Sequence, residues 1–130
     1  MIKDNINAYF DTLTKLIDDE YDEECGYSQR KNDSPPQFPF VYFHQIGGMD
    51  RYETLSETIE GADVTVEIIV YHNKGVNKVR KLADFIRKRM TEREYGLNFK
   101  CNMFSPTDNF VDSSVQMFVG RYTKSEFEKE

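Results

Sequence analysis

At 130 residues, with 38% hydrophobic and 14% aromatic content, the chain suits one domain that buries roughly two thirds of its unfolded surface. Its 23 acidic and 17 basic side chains leave a net charge of −6 and a pI near 5.0, which argues against a dedicated DNA binder. No apolar run approaches the ~20 residues that span a membrane, no signal peptide is visible, and two cysteines cannot build a disulfide framework; synthesis in a reducing cytoplasm is expected.

Ile2, Ile6, Tyr9, Phe10, Leu13, Leu16 and Ile17 recur at spacings of three and four, which predicts an amphipathic N-terminal helix. The acidic run 18–24 opposes the negative end of the helix dipole, so the helix should fray or stop there. Gly26, Asn32, Asp33, Ser34, Pro35 and Pro36 make residues 25–37 a loop. The aromatic stretch 38–46 reads as a first strand with Pro39 near its start, ended by Gly47 and Gly48. Residues 51–59 suggest a second strand with a thin apolar face, forming a polar hairpin with the alternating strand 62–71.

A second helix follows from about 75 to 94, with Val76, Val79, Leu82, Ala83, Ile86 and Met90 as its buried stripe and Gly96 placed for a left-handed cap. Alternation puts Leu97, Phe99, Cys101 and Met103 on the inner face of a fourth strand, with Cys101 a buried thiol. Residues 105–109 read as a loop, and Val115, Met117 and Val119 alternate through a last strand that ends near Tyr122. The expected fold is α+β: a mostly antiparallel sheet of four to five strands, with an N-terminal and a central helix packed on it. It makes a single domain over 1–130, with 124–130 as a mobile tail.

Charge is segregated. Residues 1–24 carry eight acidic and two basic side chains, whereas residues 74–93 carry eight basic and two acidic ones. With both helices on the sheet, a protomer would present oppositely charged outer surfaces suited to head-to-tail self-contact and ring closure. The bland reading is two solvated faces. The basic helix would also suit phosphate contacts, although the acidic total speaks against that.

Motifs for chemistry are sparse. His44, His72, Cys25 and Cys101 lack the paired spacing of a zinc site, and the acidic run lacks the alternating ligands and central glycine of an EF-hand. Asp63 and Glu67 share a strand face, the one hint of a metal-dependent nuclease, but no lysine accompanies them. Neither a phosphate loop nor a nucleophile elbow is present. No catalytic, cofactor-binding or metal-binding residue is expected.

A helical N-terminus, the strand Phe38-Pro39-Phe40-Val41-Tyr42-Phe43, a polar hairpin, the strand from Val64 to Tyr71, an amphipathic helix, Gly96-Leu97-Asn98-Phe99 and a closing strand from Val115 to Tyr122 follow one another. In that order the chain, over residues 38–123, resembles the tail-terminator (tail-completion) proteins of long-tailed bacteriophages and prophages, the group that includes the lambda tail terminator. The resemblance rests on pattern, without an invariant motif. It implies a small subunit that forms a hexameric ring on the last tail-tube ring, stops tube polymerisation and presents the surface that joins the filled head. It also implies partners: further copies of the chain, the major tail-tube protein, a head-closure or connector protein, and genomic DNA passing through the lumen. Such a protein is made in the bacterial cytoplasm and resides at the tail–neck junction of the virion. By analogy, the hairpin 47–61 and the loop 105–112 are candidate contact regions, with Met49, Arg51, Tyr52 and Phe110 foremost, alongside Lys78, Lys81 and Lys88 of the basic helix. The loop 27–37 has no place in the family's pattern. Rival readings are a head-closure or connector protein of the same neck, a cytoplasmic ferredoxin-like binding module, and a metal-dependent nuclease.

Overall fold

Val64, Val66, Ile68 and Val70 fall at every second position of one strand, so four aliphatic side chains leave the same side of it. That side becomes the floor of the main core. The structure, a computed structural model, describes residues 6–30, 35–46, 61–108 and 112–127. Its elements are α1 (Ile6–Glu20), β1 (Gly26–Ser28), β2 (Phe40–Gln45), β3 (Gly61–His72), α2 (Val76–Thr91), a 3₁₀ turn (Arg93–Tyr95), β4 (Lys100–Thr107) and β5 (Gln116–Phe127). The fold is α+β. Among the described residues the sheet has five strands in the order β1-β2-β3-β5-β4, antiparallel except for the β1–β2 pair. Because β5 inserts between β3 and β4, the unit β3-α2-β4 is a split βαβ.

Both helices cover the same face. Tyr9, Leu13 and Ile17 of α1 and Val79, Leu82, Ala83, Ile86 and Met90 of α2 close over Val41, Phe43, the four β3 aliphatics, Phe118 and Tyr122. The other face carries a second cluster of Phe40, Tyr42, Ile69, Tyr71, Val115 and Val119, with Phe38 and Met117 packed on it. Strands apolar on both sides explain why the stretches 40–43 and 68–71 read as unbroken hydrophobic runs.

Several expectations change. The loop 25–37 contains β1: the Gly26 amide donates to the Pro39 carbonyl at 3.0 Å, and a Cβ at Gly26 would meet the Phe40 ring at 2.7 Å. A strand that short, admitted only because its glycine lacks a side chain, has no periodicity to read. The expected loop 105–109 is β4 as far as Thr107. A β-bulge between Cys101 and Met103 reverses the strand's alternation, so Phe104 packs on the core while Met103 is exposed and Cys101 only half-buried. The buried thiol is Cys25, its pKa pushed up to about 12 by burial and then by the nearby carboxylates, so it stays a protonated, inert thiol.

Of the expected mobile tail 124–130, residues 124–127 are the end of β5, paired residue by residue with β3 as far as Phe127 opposite Gly61, and 128–130 lie outside the described residues. Lys124 is anchored there. Its ammonium donates to the Leu97 carbonyl at 2.7 Å and lies 5.0 Å from the Tyr9 ring centroid. A charged residue with an apolar stem can close a core edge while its head finds an acceptor. Val76, expected in the buried stripe, is 59% exposed. Gly96 is left-handed as expected, but it caps the 3₁₀ turn rather than α2. The expected strand 51–59 lies outside the described residues.

Candidate functional site

Helix α1 ends in acidic residues with no cation of its own in the last turn, an arrangement that its dipole disfavours. The missing cations come from α2. Arg89 donates to Glu20 Oε1 from Nη2 at 2.6 Å and from Nε at 3.1 Å, and Lys81 Nζ reaches Asp22 Oδ2 at 2.7 Å. The Arg89 guanidinium also sits over Phe85 and Tyr95, at 4.1 and 4.5 Å from the ring centroids, which holds its fork in place. Hydrogen bonding between Asp22 and Lys81 lowers the carboxyl pKa and raises that of the ammonium. An open groove of about 500 Å³ between the helices is lined by these charges together with Tyr21, Asp84 and Lys88.

Next to this clasp, His72 at the end of β3 is almost wholly buried. Its Nδ1 accepts the Lys74 backbone amide at 3.3 Å, which leaves Nε2–H to donate to the Glu23 carboxylate at 3.2 Å. The acidic run therefore works within the chain: Glu20, Asp22 and Glu23 each tie the end of α1 to α2 or to β3. This corrects the picture of two helices showing separate charged faces outward, because part of each charge set faces the other.

On the opposite face of the sheet, His44, Glu67 and Arg121 stand in register on β2, β3 and β5. His44 Nε2 lies 3.0 Å from Glu67 Oε1, and Arg121 Nε donates to Glu67 Oε2 at 2.9 Å. Both carboxylate oxygens are thus engaged. Tyr42 stacks on His44 with centroids 4.6 Å apart, and Thr65 and Thr123 continue the polar row one step along the strands. Burial raises the Glu67 pKa, but the hydrogen bonds from His44 and Arg121 and the attraction of both outweigh it, so the net shift is downward.

A carboxylate held low contributes stability above the ordinary carboxylate range and loses it as pH falls through its folded pKa. Glu67→Gln should therefore cost about 1 kcal/mol or less at neutral pH, with the gap to wild type closing between about pH 5 and pH 3. Urea midpoints across that range measure it, and a gap independent of pH would mean that Glu67 is not held by its neighbours.

Of the residues singled out for contact, Met49, Arg51, Tyr52 and Phe110 lie outside the described residues. Lys78, Lys81 and Lys88 are all exposed on α2. Lys81 is taken by Asp22, Lys78 lies close enough to lower the Asp22 pKa, and Lys88 lines the groove. Lys81 thus faces the chain's own acidic run, while Lys78 and Lys88 are exposed beside it. Among the described residues no group of three or more His, Cys, Asp or Glu is placed to hold a metal ion, and no helix is long and apolar enough to cross a membrane. Asp63 pairs through its backbone with Ser125, while Glu67 is committed to His44 and Arg121.

Reasoning from sequence missed the cations on the other side of α2. Arg80 lies over the Phe118 ring at 5.8 Å and Arg87 over Phe104 at 5.1 Å, beside strand β4 at the sheet edge. Their spacing of seven with Val76 four residues before Arg80 was the available signal, since it marks one stripe distinct from the core stripe. No protein-family model matches the chain, and a search of curated proteins found no significant match.

Proposed function

We propose that the chain is a structural subunit of a long phage tail: a tail terminator that closes with further copies into a ring, six in the family's pattern, on the end of the tail tube. There it stops polymerisation and offers its far surface to the head-closure protein, with genomic DNA passing through the lumen. The order of elements carries this reading. From Phe38 onward an aromatic strand, a long aliphatic strand, an amphipathic helix and a final pair of strands follow one another along the chain, the pattern on which the resemblance rests. In this reading the molecule breaks no bond, and shape and contact are its whole task. It is made in the bacterial cytoplasm and ends at the tail–neck junction.

The test is termination itself. When the major tail-tube protein of the same virus polymerises with this chain added at a low molar ratio, tubes should stop at shorter lengths and carry a cap at one end in electron micrographs. Tube lengths unchanged at every ratio would refute the terminator role. Binding to the head connector without binding to the tube would place the chain one position further up the neck.

A further inference from the structure

The two lateral edges of the sheet differ in charge, and neither difference is used up inside the chain. Edge strand β1 lies beside α1: Tyr27 donates to Asp18 Oδ1 at 2.6 Å and Gln29 to Asn7 Oδ1 at 3.1 Å. Asn7, Asp11 and Asp18 follow at spacings of four and seven, so they share the stripe of α1 that looks toward β1. Asp11, Asp18 and Glu24 are exposed there and make no ion pair among the described residues, against Lys15 and Arg30 as exposed cations on that side.

The opposite edge is formed by β4, eight residues long, with α2 beside it. Arg80 and Arg87 on the helix side, and Lys100 on the other face of β4 in register with Thr123, line that flank without an ion pair among the described residues, against Asp84 and Asp108. Nε of Arg87 is buried and has no hydrogen-bond partner among the described residues. The two exposed large hydrophobic side chains among the described residues, Val76 and Met103, also belong to α2 and β4. Val76 opens onto a cleft of about 630 Å³ whose other wall includes Pro106, Thr107 and Val115.

We propose that the β4–α2 flank is the receiving surface for a second copy of this chain, which presents its α1–β1 flank. Carboxylates of Asp11, Asp18 and Glu24 then face Arg80, Arg87 and Lys100. The contact is heterologous, one flank against the other, as a ring requires, and two like flanks repel each other. This rests on the ring reading and names its joint. The occupant follows from charge: the chain carries the complementary acidic flank at its other edge, so each copy can both give and receive.

Charge reversal tests it, read by light scattering and sedimentation across protein concentration. Arg80→Glu with Arg87→Glu, and separately Asp11→Lys with Glu24→Lys, should each raise the concentration for half-assembly by at least about tenfold. All four substitutions together in one chain should recover most of the assembly. Circular dichroism melts confirm that each variant folds, since Asp11, Glu24 and Arg80 are exposed and Arg87 is half-exposed. If wild type assembles and neither reversal weakens it, this joint is wrong while the ring stands. If wild type does not assemble even on tube ends, the ring reading and this inference fall together.

Discussion

Leu82→Ala should lower the free energy of unfolding by about 2–5 kcal/mol, a large part of the 5–15 kcal/mol typical of a domain. Leu82 is fully buried where α2 meets the sheet, within the cluster that contains Val79, Ile86, Ile68 and Phe118. Truncation removes its apolar area from the core and leaves a cavity that strands on one side and a helix on the other cannot close. Val76 provides the control on the same helix. At 59% exposure, Val76→Ala should stay within about 0.5 kcal/mol. Denaturant unfolding at neutral pH measures both. A loss below about 1 kcal/mol for Leu82→Ala would mean that α2 does not pack through this stripe.

Tyr122→Ala should cost about 3–5 kcal/mol, because it empties the largest fully buried side-chain volume of the core. Its ring lies over Gly120 on the same strand, and a Cβ at Gly120 would sit 2.7 Å from the Tyr122 hydroxyl oxygen. Gly120→Ala should therefore cost about 1–3 kcal/mol by overpacking. In the double variant the alanine methyl enters space that the tyrosine has left. The double loss should fall short of the sum of the two single losses by about 0.5–3 kcal/mol. Strict additivity would show that ring and glycine do not share that space.

The sequence made most of the architecture legible where one local period governs a whole element. Val64, Val66, Ile68 and Val70 announce the inner face of β3, and the stripe from Val79 to Met90 announces α2. Reading failed where a local rule was overridden. One extra residue at the bulge turned Met103 outward and Phe104 inward, and Gly26 admitted a strand of three residues. Lys124 looked like part of a charged tail because its use depends on a carbonyl 27 positions earlier.

The clasp was invisible for the same reason. Asp22 and Lys81 are 59 residues apart, and Glu20 and Arg89 are 69 apart. Segregation of charge could be counted along the chain, but which charges cancel within it depends on how α1 and α2 meet. With those pairs set aside, Arg80 and Arg87 stand out as cations without an ion pair among the described residues beside the β4 edge.

The subunit proposed above, giving one flank and receiving another, would have a definite assembled mass, and that mass is the most direct measurement. Multi-angle light scattering of the purified chain, alone and with tail-tube ends present, should find one closed species at a fixed multiple of 15.3 kDa, six copies under the proposed terminator reading. Its population should shrink as salt rises. A mass of one chain at every concentration and salt, with or without tube, would contradict the account.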